Sequence, residues 1–142
     1  MSIRAKYLAE FVYGAIDGTV TTFAIISGAL GAALSPMVVV ILGFANLFAD
    51  GFSMAVSNYL SEKSEGKLHA HLSEDPHHKH PLRTATATFV SFVCVGFVPL
   101  ISFVCAPLHP FIAAYQFEIA IVLTAGAFAV IGYIRAYVIE GN

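Results

Sequence analysis

The chain has 142 residues, of which 58% are hydrophobic and only 11% carry a formal charge. A soluble domain of this size carries about a quarter charged residues, so the composition argues against a water-soluble globular protein. The net charge of −2 offers no basic surface to a nucleic acid, and no nucleic-acid partner is expected. Half of the charged residues lie between Glu62 and Arg83, and the nearly uncharged runs on either side approach the ~20 residues that cross a bilayer.

Four apolar runs predict an all-α integral membrane protein with about four transmembrane helices, forming a single membrane domain over residues 1–142. Ser35 and Pro36 separate the first two runs, because proline disfavours helix at the residue before it. The first run contains acids and is too long for the apolar core of a signal peptide, so we expect it to be retained as a span. Pro99 is expected to kink the third span. The predicted spans cover about residues 7–34, 37–60, 84–106 and 117–138.

Residues 61–83 are predicted to form a polar loop between the second and third spans. Four spans place the N-terminus, this loop and the C-terminus on one side of the bilayer, together with all seven Lys and Arg residues. By the positive-inside rule, that side is the cytoplasm.

The predicted loop contains five histidines within twelve residues, with acids among them. Imidazole and carboxylate groups are ligands for Fe, Mn, Zn, Ni and Cu, and a His-rich tract is typical of metal binding. Two interpretations stay open: a low-affinity collector that feeds the cytoplasmic mouth, or a solvated tract that chelates weakly without function. The candidate ligands are His69, His71, His77, His78, His80, Glu62 and Glu65.

Three acids, Glu10, Asp17 and Asp50, lie within the first two predicted spans. An acid near the bilayer centre is costly, and such residues usually face a polar interior and mark an ion path. Asp17 lies ten residues after Tyr7, where the first span begins, and Asp50 lies ten residues before Leu60, where the second ends. Antiparallel helices would place both carboxylates about 15 Å above the cytoplasmic boundary, so we expect them to face each other.

Helical spacing groups further polar residues with these acids. Glu10 and Asp17 are seven residues apart and share a face of the first helix. On the second helix, Asn46, Asp50, Met54 and Asn58 recur every four residues. Oxygen ligands bind divalent cations, and a thioether favours late first-row metals, so this lining fits Fe(II) or Mn(II) as a transported substrate, without a tightly bound cofactor. The alternative is structural, with interhelical hydrogen bonds and Met54 as core filler. The candidate metal ligands are Asp17, Met54, Glu10, Asp50 and Asn46.

Two segments closely resemble the vacuolar iron transporter family. They are YGAIDGTVTTFAIISG (Tyr13 to Gly28) and ILGFANLFADGFSMAVSNYLSEKSE (Ile41 to Glu65). The resemblance implies a transporter that exports Fe2+ and/or Mn2+ from the cytosol by proton antiport. It also implies a homodimer in the lipid bilayer whose first two helices line the path.

The resemblance also assigns roles to particular residues. Asp17 and Met54 match the pair thought to hold the metal in mid-membrane, and Glu10 matches an acidic position one heptad earlier. Asn46 falls where plant members carry a glutamate. Either Asp50 takes over that role, or Asn46 serves as a neutral ligand.

Two departures from the family are visible in the sequence. The family usually has five spans, and plant members place a glutamate-rich domain between the second and third spans, where this chain has about 22 residues. We therefore expect a short prokaryotic-type member of the inner membrane, whether naturally short or truncated.

Two functions of other kinds compete with transport. One is a non-transporting membrane metal sensor or assembly protein. The other is an intramembrane aspartyl protease, because two facing aspartates could share a proton. Such proteases carry a Gly-x-Gly-Asp helix, whereas here the second acid follows Ala49, so we expect that the protein is not an enzyme.

Overall fold

The computed structural model describes residues 7–72 and 79–140, and the side chains of residues 69–72 lie outside that description. The described residues form helices and turns with no strand among them, which confirms the predicted all-α fold. Two 3₁₀ turns lie at Val98–Leu100 and Ala106–Leu108. The α-helices are α1 (Leu8–Gly31), α2 (Pro36–Leu72), α3 (Pro81–Gly96), α4 (Ile101–Cys105), α5 (Pro110–Ala114) and α6 (Gln116–Glu140).

Four helical stretches in the described part of the chain are long and apolar enough to cross a membrane. They correspond in order to the four predicted spans, although their ends differ by several residues. The third stretch combines α3, α4 and both 3₁₀ turns. The four stretches are Leu8–Gly31, Pro36–Leu68, Pro81–Leu108 and Gln116–Glu140.

Helix α2 continues well beyond the predicted end of the second span. The polar loop predicted from residue 61 starts inside this helix, which ends at Leu72. Residues 61–68 are rich in glutamate, lysine and serine, and glutamate and lysine favour helix as strongly as leucine does. Low hydropathy therefore marks the end of the apolar stretch but not the end of the helix. Glu62 and Glu65 lie on this polar extension.

The third span is interrupted at Pro99, as predicted. Helix α3 ends at Gly96, a 3₁₀ turn follows, and α4 begins at Ile101. Proline has no N–H to donate and crowds the preceding turn, so a regular helix cannot continue through it. Pro99 and Leu100 are both buried, and Leu100 belongs to the hydrophobic core. The interruption therefore lies in the packed interior.

The connection between α1 and α2 is tight. The amide of Ala33 donates to the carbonyl of Leu30, and the amide of Leu34 donates to that of Ala29, each at 2.9 Å. Ala33 has a φ of 55°, in the left-handed region that commonly ends a helix. With Pro36 at the first position of α2, where proline is favoured, this turn sets the two helices antiparallel.

Helix α1 packs against α3 through glycines that allow the two backbones to touch. A Cβ atom built on Gly14 would lie 2.7 Å from the backbone oxygen of Thr88, and one built on Gly18 would overlap the backbone oxygen of Phe92. On α3, a Cβ on Gly96 would lie 2.8 Å from the backbone oxygen of Gly18. Small residues at four-residue spacing are the usual means of close helix approach in membranes, and here the approach is within one chain.

We expect Gly18→Leu to disrupt this packing, because the new side chain would meet backbone rather than flexible side-chain atoms. Overpacking of this kind should cost about 3 kcal/mol of the free energy of unfolding, measured by denaturant titration of the detergent-solubilised chain followed by circular dichroism. Gly28→Leu is the matched control, since nothing lies within 4 Å of a Cβ at that position. Equal loss of stability in the two variants would contradict the glycine contact.

Candidate metal-ion site

An open groove runs along the outer face of α1, beside α6. Its volume is about 540 Å³. Asp17 is the acid in its wall, and Arg135 of α6 is the base; the other lining residues are apolar or tyrosine. The α1 residues of the wall recur at three- or four-residue spacing and therefore share one side of the helix. The lining consists of Leu8, Ala9, Val12, Tyr13, Ile16, Asp17, Val20 and Arg135.

Asp17 and Asp50 lie close enough for their charges to interact, as expected of the two facing helices. Asp17 is half-buried, and Asp50 is exposed on the surface of this single chain. Asp17 forms no ion pair with a basic side chain in the described residues. Two nearby carboxylates inside a membrane favour a cation between them, since oxygen ligands and negative charge are what divalent metals require.

Asn46 is held by a hydrogen bond to α1. Its Nδ2 donates to Thr21 Oγ1 at 3.2 Å, and that hydroxyl donates to the carbonyl oxygen of Asp17 at 2.8 Å. The amide thus joins α2 to α1 one turn beyond the acid. This contact supports a structural role for Asn46, whether or not its oxygen also meets a metal.

The other residues that recur every four positions on α2 contact different neighbours. Met54 is half-buried and packs against the hydrophobic core, which includes Phe92. Asn58 Nδ2 donates to Thr88 Oγ1 of α3 at 2.6 Å. Neither residue belongs to the lining of the groove. Asn46, Met54 and Asn58 therefore contact α1, the hydrophobic core and α3 respectively, whereas Asp50 lies on the surface.

Glu10 lies in a different environment from Asp17, because Lys79 covers it. Its side chain is 8% exposed, and its Oε1 lies 2.6 Å from Nζ of Lys79. The backbone oxygen of Glu10 also accepts a hydrogen bond from Ser91 Oγ of α3 at 3.4 Å. Sequence reasoning did not predict Lys79 as a partner; the available signal was a lysine two residues before the start of α3, on the side where α1 begins.

The predicted cytoplasmic ligands are only partly described. His80 is exposed, and its carbonyl oxygen accepts hydrogen bonds from the amides of Arg83 and Thr84 at the start of α3. Glu62 is half-buried and Glu65 is exposed on the extension of α2. The side chains of His69 and His71, and His77 and His78 altogether, lie outside the described residues. Among the described side chains, those of residues 7–68 and 79–140, no three His, Cys, Asp or Glu residues form a group able to hold a metal.

Comparison with known sequences identifies the family. The chain matches the VIT family over residues 8–73 and 67–142, which together cover both pairs of spans. The chain belongs to the VIT family. Family membership and four helices able to span a bilayer make it an integral membrane protein.

Several curated relatives share parts of the sequence. It is 41% identical to the vacuolar iron transporter of Plasmodium berghei over 64 residues, or 45% of this chain and 23% of that protein. It is 44% identical to that of Toxoplasma gondii over 61 residues, or 43% and 20% of the two chains. Its identity to vacuolar iron transporter homolog 5 of Oryza sativa is 28% over an alignment of 142 positions, which covers 94% of this chain and 65% of that protein. The chain thus spans about a fifth of the length of the apicomplexan relatives, and no solved structure matches it.

The Asn46–Thr21 hydrogen bond should contribute measurably to the α1–α2 contact. We expect Asn46→Ala and Thr21→Val each to lower the free energy of unfolding by about 1 kcal/mol, and the double variant to lose less than the sum, as coupled partners do. Asn46→Ala combined with Thr88→Val is the matched control, because Thr88 pairs with a different amide. Strict additivity in both double variants, measured by denaturant titration, would contradict the bond.

Proposed function

We propose that this VIT family member transports a divalent metal ion, Fe2+ or Mn2+, across the membrane, and exports it from the cytosol in exchange for protons. The observation that carries the proposal is the position of Asp17, a half-buried acid in an apolar groove, with Asp50 within electrostatic range. Relatives named as vacuolar iron transporters support iron as one substrate. These names also support transport rather than catalysis by the two aspartates.

The depth of Asp17 supports an ion path rather than a surface contact. Asp17 follows the start of α1 at Leu8 by nine residues, which places it about 14 Å along the helix axis. Retaining an acid at this depth is costly unless a cation, a proton or a hydrogen-bonding group compensates it. A carboxylate that alternates between metal and protons would couple the two fluxes.

A homodimer would complete the site. One chain brings two acids together but no group of three ligands among its described residues. The face of α1 that carries Tyr13 and Asp17 borders the open groove, and Asp50 is exposed on α2. A second copy placed against these surfaces would contribute two more carboxylates, and would cover acids that one chain leaves open.

The proposal is tested by Fe2+ and Mn2+ flux into proteoliposomes under an imposed pH gradient, with proton movement followed by an enclosed dye. We expect metal uptake coupled to opposing proton movement, and a loss of about tenfold or more in Asp17→Asn, equivalent to at least ~1.4 kcal/mol. Glu118→Gln is the control, because this acid is exposed in the first turn of α6 and remote from the groove lining. Absence of flux for both ions from folded wild-type protein would favour the sensor or assembly alternative.

The role of the Met54 sulfur can be separated from its packing. Met54→Leu conserves volume and should cost less than about 1.5 kcal/mol of stability, whereas it removes the thioether from the metal path. We therefore expect Met54→Leu to unfold like wild type but to transport Fe2+ and Mn2+ more slowly. Leu47→Met, a reciprocal change at a buried position of α2, controls for repacking of the core. Wild-type flux in Met54→Leu would assign the residue to packing alone.

A further inference from the structure

The ion pair between Glu10 and Lys79 lies at the end of α1 where a cytoplasmic cation would first meet an acid. Glu10 is the first of the two acids on α1, and Asp17 follows seven residues later, about 10 Å along the axis. Lys79 comes from the connection between α2 and α3, 69 residues away in sequence. Its Nζ lies 2.6 Å from Glu10 Oε1.

Burial explains why Glu10 holds a cation. The residue is 7% exposed, and a buried carboxylate is strongly destabilised unless a positive charge or hydrogen-bond donors compensate it. In the described residues the compensation is one-sided. Oε1 contacts the ammonium, whereas Oε2 is buried without a hydrogen-bond partner. The site therefore has coordination capacity that one ammonium group does not use.

Lys79 is both anchored and accessible. It precedes His80, whose carbonyl oxygen accepts two amide hydrogen bonds from the first turn of α3, so its backbone is joined to a fixed helix end. Its side chain is 28% exposed, and it therefore links the surface to the buried carboxylate. An ammonium held this way acts at the high effective concentration of an intramolecular ligand, yet its partner is reachable by a cation that displaces it.

We propose that Lys79 is a tethered competitor for divalent cations at Glu10, and that it sets the affinity with which the cytoplasmic end of the path takes up metal. The proposal rests on the proposed transport function, since it concerns the first acid of that path. A metal ion binds Glu10 by displacing the ammonium, and both carboxylate oxygens then become ligands. The ammonium keeps the carboxylate compensated whenever no metal is bound, and it excludes cations that bind more weakly than it does.

The test is Mn2+ binding to the full-length chain in detergent, followed by the electron paramagnetic resonance signal of free Mn2+. We expect Lys79→Ala to bind Mn2+ about tenfold more tightly than wild type, because a charge-assisted contact no longer has to be broken. Lys79→Arg should bind like wild type. In a Glu10→Gln background, Lys79→Ala should produce no further change, which separates this site from histidines elsewhere in the chain.

Lys63→Ala is the matched control for a general change of charge. Lys63 lies on the polar extension of α2 with its Nζ 5.6 Å from the ring centroid of Tyr59, so this variant removes one positive charge without altering the Glu10 pair. Equal tightening in Lys63→Ala and Lys79→Ala would overturn the proposal. Unchanged or absent Mn2+ binding in folded Lys79→Ala would overturn it as well.

A second measurement needs no substitution, in case Lys79→Ala fails to fold. Amine acetylation of the wild-type chain, quantified by mass spectrometry, should label Lys79 several-fold faster in saturating Mn2+ while Lys63 is unaffected. Labelling of Lys79 that does not respond to Mn2+ would overturn the proposal. The flux and binding measurements distinguish the two proposals. Metal flux together with Mn2+ binding that does not respond to Lys79→Ala would refute only the role of Lys79 as a competitor. Tighter Mn2+ binding in Lys79→Ala without any metal flux would refute only the transport function.

Discussion

The backbone contact between α1 and α3 is the constraint on which the arrangement of charges depends. Glycines at positions 14, 18 and 96 let the two helices meet without intervening side chains, so α3 covers the side of α1 that carries Glu10. Glu10 and Asp17 project from α1 in directions that differ by only about 20°, since seven residues make nearly two turns. They differ in environment because Lys79 and the start of α3 cover the first acid, whereas the second lies at the edge of an open groove.

Polar residues inside the bundle are compensated in different ways, and some atoms, such as Thr22 Oγ1, are buried without a hydrogen-bond partner. Several threonine hydroxyls donate back to carbonyls one turn earlier, as Thr19 does to Ala15 at 2.7 Å, and so need no partner on another helix. Asn46 and Asn58 join helices through side-chain hydrogen bonds. Asp17 and Asp50 have neither kind of hydrogen bond within the described residues of one chain. Because uncompensated acids are costly inside a membrane, these two are the groups for which a mobile cation is the natural partner.

Hydropathy and spacing predicted the four spans, the interruption at Pro99 and the proximity of Asp17 to Asp50, since each depends on composition or on counting residues along a helix. The continuation of α2 to Leu72 could not be predicted from hydropathy, because a helix of charged residues and a polar loop have similarly low hydropathy. For Met54 the sequence left two interpretations open, metal ligand or core filler, and the observed packing against the core agrees with the second. Nor does any local pattern join Lys79 to an acid 69 residues away.

The two acids on α1 differ in the cation that one chain provides for them. Under the proposed transport function, this difference would make the affinity for a metal increase along the path. At Glu10 an incoming metal exchanges places with an ammonium, so the net gain is only the difference between two cations. Asp17 forms no ion pair with a basic side chain among the described residues, and Asp50 adds a second negative charge nearby. A cation that moves about 10 Å from the first acid to the second therefore leaves a site of balanced charge for one of excess negative charge. Under the proposed antiport, release on the far side would need a competing charge at Asp17. Protons could supply that charge, because Arg135 lines the same groove but forms no ion pair with Asp17 in the described residues.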